Sequence, residues 1–316
     1  MITKNKKFKR LFVIFLMGPT ACGKSMIALK LRKLIPVELI SVDSALVYRD
    51  MNIGTAKPTK SELLYNPYHL IDIKDPMERY SVSEFQSDAL EAIQHVISKD
   101  KVPLLVGGTM FYFKVLLEGL PKLPPSNYDV RSYLYSMKNN KNFLHNKLKE
   151  IDVTSSKRIH PNDIQRILRA LEIFYISGKT LTELTMSKNY KFPYDVIQFS
   201  IIPYSKDWLK KNIYIRFHKM LFLGFQNEVE NLLRRGDLHI DLPSIRCVGY
   251  RQMWNYLLNS LSYDEMIFQS ISATKKLAKN QLTWLKNWKN IYELKNFGNI
   301  DNLSHQIVKI IKNTYF

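Results

Sequence analysis

The octapeptide Gly18–Ser25, GPTACGKS, satisfies GxxxxGK[ST] at every position, and its flanks are the ones that motif needs. The run before it, Leu11–Met17 (LFVIFLM), is continuously apolar, as in a strand buried on both faces of a parallel sheet. After it, Ile27, Leu31 and Leu34 recur at helical spacing up to Pro36. Strand, glycine loop and helix in that order turn backbone N–H groups toward an anion and add the positive end of the helix. Gly18, Pro19, Thr20, Ala21, Cys22, Gly23, Lys24 and Ser25 are therefore the candidate phosphate cradle. Lys24 is placed to reach the terminal phosphate, and the Ser25 hydroxyl is the candidate ligand for Mg2+.

Strand and helix signals alternate onward from this loop. Val37–Val42 and Val102–Val106 read as buried strands, and Val82–Ser98 as an amphipathic helix with Phe85, Ala89 and Ile93 on one face. That alternation predicts an α/β fold, a P-loop-type parallel sheet core. Pro121, Pro124 and Pro125 break the pattern, and up to about Tyr190 only helices are expected: Asn127–Lys138, Asn142–Ile151 and Asn162–Ser177. The last is expected to be capped by Asn162 and stopped at Gly178. Val196–Ile202 reads as a strand returning to the sheet, followed by one long helix, Ile213–Arg235, with Phe217, Leu221, Phe225 and Val229 on one side. The expected organisation is a core over 1–121, a helical insertion over 122–193, and a return strand with a basic helical part over 194–316.

Charge narrows the partner. Lys and Arg number 47 against 28 Asp and Glu, a formal net charge of +19, beyond the roughly 2–8 that keeps a small domain soluble. A polyanion such as nucleic acid is the physical reading, with a general Lys-rich composition as the plain alternative. Two cysteines, Cys22 and Cys247, cannot build a disulfide framework or a four-ligand zinc site, which fits a reducing cytoplasmic setting. The basic run Lys4–Arg10 before Leu11–Met17 mimics a signal peptide, but it leads straight into a loop that cleavage would destroy. No stretch approaches the ~18 apolar residues of a membrane span.

A P-loop alone does not define a nucleotide hydrolase, which usually carries an acid at the end of an apolar strand. Here Val102–Val106 ends in Gly-Gly-Thr, whereas the second strand ends in Asp43-Ser44. At that strand end Asp43 can serve in a metal shell or as a general base, or simply cap a turn. The following segment, Asp43–Pro58 (DSALVYRDMNIGTAKP), is too long for a plain connection. In Val106–Tyr112 (VGGTMFY), Thr109 can donate to a phosphate or cap a tight turn.

With these segments the chain resembles the tRNA dimethylallyltransferases, also called tRNA isopentenyltransferases, of bacterial type. Further matching stretches are RIHPNDIQRILRALE (Arg158–Glu172), SGKTLTEL (Ser177–Leu184), GFQNEV (Gly224–Val229), LPSIRCVGY (Leu242–Tyr250) and ATKKLAKNQLTWLK (Ala273–Lys286), in family order. The resemblance implies transfer of a dimethylallyl group from dimethylallyl diphosphate to N6 of adenosine 37 in tRNA, beside the anticodon, with Mg2+. It implies that Thr20–Ser25 hold the diphosphate, that Asp43 receives the N6 proton, and that Thr109 and Arg216 steady the leaving group beside Lys24. It places tRNA along Asp43, Ser44, Ala45 and Leu46, and along Gln165, Arg166, Ile167, Leu168 and Arg169, with Arg131. Two later stretches join them: Arg246, Cys247, Val248, Gly249, Tyr250 and Arg251, then Lys279, Asn280, Gln281, Leu282, Thr283, Trp284, Leu285 and Lys286. The expected particle is a monomer.

Plainer readings stand beside these. Lys275, Lys276, Lys279 and Lys286 can be a solvated helix face, and Trp284 reads as core more readily than as a base-stacking platform. Arg166 and Arg169 share one helix side, where Asp163 and Glu172 are alternative partners to RNA. His160 reads as a turn or core residue, since no second ligand lies at metal spacing. The chain departs from the family pattern at Ile164 (often Pro), at Cys22 (commonly Ser), and at Lys275, Lys279, Asn280 and Lys286, where Arg is common. Lys keeps the charge but lacks the planar fork. Competing readings are an adenylate dimethylallyltransferase acting on free nucleotides, a small-molecule P-loop kinase, and a tRNA-binding module with a decayed site.

Overall fold

The apolar run ahead of the glycine loop forms β1 (Phe12–Met17), buried along its whole length. The structure, a computed structural model, describes residues 11–137, 141–186 and 190–315; the basic run Lys4–Arg10 and Lys138 lie outside them. After β1 come α1 (Lys24–Leu34), β2 (Val37–Val42), α2 (Lys60–Tyr65), β3 (Tyr68–His69), α3 (Val82–Ser98), β4 (Val102–Gly107) and α4 (Met110–Glu118). Five helices follow: α5 (Tyr128–Ser136), α6 (Lys141–Ile151), α7 (Val153–Arg158), α8 (Ile164–Ser177) and α9 (Leu181–Met186). The chain then enters β5 (Asp195–Pro203), α10 (Lys206–Phe222), α11 (Phe225–Arg234), α12 (Tyr250–Leu257), α13 (Tyr263–Lys286), β6 (Tyr292–Asn296) and α14 (Ile300–Tyr315).

Two compact units result: one of residues up to Leu116 together with those from Pro193 on, the other Leu117–Phe192. In the first, six strands make one sheet in the order β3-β2-β4-β1-β5-β6, and every pairing in it is parallel. Fully buried β1, β2 and β4 carry no hydrophobic alternation, as strands covered on both faces should not. β1 lies between β4 and β5, so the loop leaving it sits at the carboxyl edge of the sheet's centre, where open α/β sheets bind ligands. One face is covered by α1 and α14, packing Ile27, Leu31, Ile307 and Ile311 with the strand residues Ile14 and Leu104. A second core gathers Phe217, Phe225, Val229, Tyr250, Met253 and Ala278 from α10 to α13.

Helices are the only regular elements among the second unit's described residues, with Leu134, Leu144, Leu148, Ile167 and Leu171 at its centre. Its helix ends are tied by side chains: Asn127 caps α5, and Asp152 caps α7 by accepting from the Ser155 N–H.

Three expectations need correction. The single helix over Ile213–Arg235 is two: α10 starts earlier, capped by Ser205, and Gly224 at φ 95° breaks the path before α11. Only a residue tolerant of positive φ can make that turn, which periodicity does not register. The cap of α8 is Asp163, whose Oδ1 accepts from Arg166 N, rather than Asn162. The C-terminal third contains a strand, β6, whose mostly exposed YELKN gives no apolar signal.

Candidate active site

The phosphate loop keeps its shape through backbone turns and three borrowed carboxamides. Ala21 and Gly23 take positive φ, 60° and 90°. Gln281 Oε1 accepts from Thr20 N at 2.8 Å, Asn296 Nδ2 donates to Cys22 O at 2.9 Å, and Asn212 Nδ2 donates to Ala21 O at 3.4 Å. Gly18 is needed for close approach, since a Cβ there would lie 2.7 Å from Ile201 O. Lys24 folds over the loop, its Nζ donating to Pro19 O at 2.6 Å. Burial pushes its ammonium below the ordinary lysine value, and the nearby Arg216 adds to that while Asp43 opposes it. A cation desolvated in this way gains most from an anion arriving beside it.

Arg216 reaches the loop from α10. Its Nη1 donates to Thr20 Oγ1 at 3.2 Å and its Nη2 to Thr55 O at 3.2 Å. Burial lowers its pKa and the Asp43 carboxylate raises it. Thr55 is itself held. Glu228, on α11, accepts from the N–H groups of Asn52, Ile53 and Gly54 at 2.8, 2.7 and 3.1 Å, and from the Tyr250 hydroxyl at 2.6 Å. Gly54 must be glycine, because a Cβ would meet Phe225 at 2.2 Å.

Asp43 stands at the end of β2. Its Oδ1 accepts from Ala45 N at 2.8 Å and Leu46 N at 3.3 Å, so it does cap a turn. Among the described residues its Oδ2 has no hydrogen-bond donor, which leaves one oxygen available for chemistry. Thr109 begins the turn after β4, with its N–H on Val42 O at 3.3 Å and its carbonyl accepting from Tyr112 N at 2.9 Å.

Two adjoining hollows, each of roughly 500 Å³, share Thr20, Asp43, Thr55, Gly108, Arg216 and Gln281. One opens over the loop and includes Gly23, Lys24, Ser25, Ser41 and Lys219. The other includes Thr109 and Phe111, the apolar Ile213, Phe217, Met220 and Phe225, and Arg246, Asn280 and Trp284. Asp43 and Arg216 thus line both hollows, with Lys24 on one side and Thr109 on the other.

The four stretches assigned to RNA divide by burial. Gln165 and Arg166 are exposed, but Ile167 and Leu168 are buried in the helical unit's core. Tyr250 and Leu285 are equally buried, Gly249 lies beneath the surface and Leu282 packs against the second core. Ile167, Leu168, Tyr250 and Leu285 thus turn their side chains into the interior, because a stretch on a helix carries both faces. Gln281 also turns inward. Ser44, Arg246, Arg251, Lys279, Asn280, Thr283 and Lys286 are exposed, and Ala45, Leu46, Cys247 and Val248 partly so. Arg169 Nη1 binds the buried Glu172 at 2.8 Å and Arg166 pairs with Asp163 at 3.2 Å, the partners that helical spacing offered, while Arg131 Nε reaches Glu172 from another helix at 2.9 Å. Trp284 is not core: it is 38% exposed at the mouth of the second hollow, with Lys114 over its ring at 5.8 Å. His160 is exposed and its Nδ1 accepts from Asn162 N, a turn contact.

Sequence reasoning gave no role to Thr55, Glu228, Ser41 or Asn296. Glu228 lies within GFQNEV, where a lone acid amid apolar and amide neighbours is the one signal that could have found it. Asn296 had none, lying in the unrecognised strand.

A parallel sheet with a phosphate loop at the end of β1 and a carboxylate at the end of β2 defines an enzyme of the P-loop α/β class. The chain belongs to the IPP transferase family, whose profile matches residues 46–288. It is 56% identical over 322 residues to the tRNA dimethylallyltransferase of Buchnera aphidicola subsp. Baizongia pistaciae (strain Bp), covering 100% of both chains. It is also 56% identical, over 308 residues and 98% of both, to the tRNA dimethylallyltransferase of Buchnera aphidicola subsp. Acyrthosiphon pisum (strain APS). Among solved structures, the tRNA isopentenylpyrophosphate transferase from Bacillus halodurans matches with a TM-score of 0.70 at 32% identity, over 96% of this chain and 98% of that one. A eukaryotic dimethylallyltransferase acting on tRNA shares the fold, with a TM-score of 0.82 at 24% identity over 96% of this chain and 79% of that one.

Proposed function

We propose that the chain transfers the dimethylallyl group of dimethylallyl diphosphate to N6 of adenosine 37 in tRNA, releasing diphosphate. The observation that carries this reading is a pair of adjoining hollows lined by a phosphate loop, two half-buried cations, a half-engaged carboxylate and an apolar wall. In the proposed arrangement the loop N–H groups, Lys24 and Arg216 hold the diphosphate, with Thr109 beside it. The five-carbon group lies along Ile213, Phe217, Met220 and Phe225, out of water. N6 attacks the allylic carbon as the carbon–oxygen bond to diphosphate breaks. Negative charge grows on the departing oxygens, where Lys24 and Arg216 act, and stabilising such charge typically lowers the barrier more than any other single effect. The N6 proton passes to Asp43 Oδ2.

The residues fit Mg2+ as well. Ser25 shares its hollow with Asp43 and with Ser41, whose buried Oγ has no hydrogen-bond partner, a set of hard oxygen donors. Among the described residues no cluster of three or more His, Cys, Asp or Glu exists to enclose an ion, so most ligands would come from diphosphate and water. Bound there, Mg2+ would neutralise charge on the leaving group.

The exposed Arg246, Arg251, Lys279 and Lys286 are proposed to meet the anticodon stem-loop, and Trp284 to lie beside the extruded base. One chain per tRNA and a cytoplasmic setting belong to the same proposal; among the described residues no helix is long and apolar enough to cross a membrane. The test is direct. Purified protein with Mg2+ and labelled dimethylallyl diphosphate should label tRNA carrying A36-A37-A38. Comparable labelling of free AMP, or phosphate transfer from ATP, would replace this reading with one of its competitors.

A further inference from the structure

Gln281 sits in a basic stretch of α13, among the exposed Lys279, Asn280, Thr283 and Lys286, yet its amide faces the opposite way and the residue is only 9% exposed. Oε1 accepts from Thr20 N at 2.8 Å and Nε2 donates to Gly108 O at 2.8 Å. One neutral, planar group thus joins the first turn of the phosphate loop to the glycine end of β4. A carboxamide supplies a donor and an acceptor in that arrangement without charge, and does so at every working pH. The contact is close. A Cβ on Gly108 would lie 2.4 Å from Gln281 Nε2.

We infer that Gln281 is a positioning residue that fixes the diphosphate loop in register with α13, the helix presenting Lys279 and Lys286. The inference rests on the proposed function to the extent that the cradle takes a diphosphate. It removes Thr20 N–H from the donors open to ligand, so the cradle is formed by the later loop N–H groups, Lys24 and Arg216. It also links the two substrates mechanically, because movement of α13 is passed to the loop through one side chain.

Replacement by Glu gives a conditional test. Ionised, the introduced carboxylate still accepts from Thr20 but sets an oxygen against Gly108 O and a negative charge beside the cradle. Protonated, the same group has one O–H donor and one carbonyl acceptor, the pattern of the native amide. The experiment is calorimetric binding of inorganic diphosphate, in Mg2+ buffer, to the full chain and to Gln281→Glu and Gln281→Ala. The pH is taken from about 8 to about 5, a range in which buried carboxyls titrate. Each variant is compared with wild type at the same pH, which cancels the titration of diphosphate itself.

Gln281→Glu should bind about tenfold or more weakly at the alkaline end, about 1.4 kcal/mol, and the gap should close on acidification. Gln281→Ala should be weakened at every pH, with tRNA affinity changing far less than diphosphate affinity. Normal binding by Gln281→Glu at the alkaline end, or a gap indifferent to pH, would overturn the inference. Should Gln281→Glu fail to fold, Gly108→Ala, whose methyl displaces the amide, must show the same weak binding without the pH dependence, and normal binding there overturns it too. Wild type that binds diphosphate but labels no tRNA would undo the transferase reading and leave this one standing. Wild type with no measurable diphosphate affinity undoes both.

Discussion

Glu228 and Tyr250 meet through a 2.6 Å hydrogen bond from the phenol to a carboxylate that already accepts three backbone N–H groups. The pair holds the loop whose next residue, Thr55, receives Arg216. Burial, with Glu228 second, pushes the Tyr250 hydroxyl well above its ordinary value, so it stays a donor throughout the working range. Tyr250→Phe should cost about 1 kcal/mol of stability, one net hydrogen bond, and leave the loop in place. Glu228→Ala strands three N–H donors and should cost about 3 kcal/mol or more, with a matching fall in turnover. Urea unfolding and steady-state kinetics on the two variants check the order.

Asp43 has a structural oxygen and a chemical one, so Asp43→Asn is a cleaner probe than Asp43→Ala. Asn keeps an acceptor for Ala45 and Leu46 N–H but cannot take a proton. Turnover should fall by at least about 10² while tRNA affinity and melting temperature hold. Turnover that survives would remove Asp43 as the base.

Arg216 spans Thr20 Oγ1 and Thr55 O with two different nitrogens. A lysine ammonium is a point charge and cannot bridge both. Arg216→Lys should therefore lose about 10²–10³ in kcat, as for a lost transition-state donor. Full activity in single-turnover assays would show that charge alone suffices.

Asp152 is buried and accepts from Ser155 N, Thr182 N and Thr182 Oγ1 at 2.9, 3.0 and 2.6 Å. Burial pushes its pKa up, but these hydrogen bonds outweigh it and hold the carboxyl below its ordinary 3.8. A depressed folded pKa stabilises above the unfolded value, and that stability is lost as pH falls through the folded one. The wild-type chain should lose stability faster than Asp152→Asn as acid is added below about pH 4. Parallel acid limbs in thermal melts would contradict the assignment.

Binding of tRNA should weaken steeply with salt. Replacing Lys279 or Lys286 with Ala should reduce the slope of log K against log salt by about 1 each. An unchanged slope would place the phosphates elsewhere.

Much of the sheet was legible because fully buried strands are continuous apolar runs and α1 and α3 have clean periodicity. Gly224 was not, since one residue at positive φ interrupts a helix without disturbing the pattern around it. β6 escaped because an edge strand facing solvent looks like loop. In the site, Asp43, Lys24 and the glycines followed from motif chemistry. Gln281 and Trp284 did not, because spacing tells which residues share a helix face but not which face is covered. Gln281 is polar yet buried, Trp284 apolar yet exposed.

The three carboxamides that brace the phosphate loop come from positions 212, 281 and 296, far downstream of the residues they hold. A growing polypeptide therefore carries its anion-binding segment early in synthesis but cannot finish it until the last of those amides has emerged. The enzyme is assembled around its oldest part, and a nascent chain stalled before Asn296 would expose a glycine loop lacking its final brace.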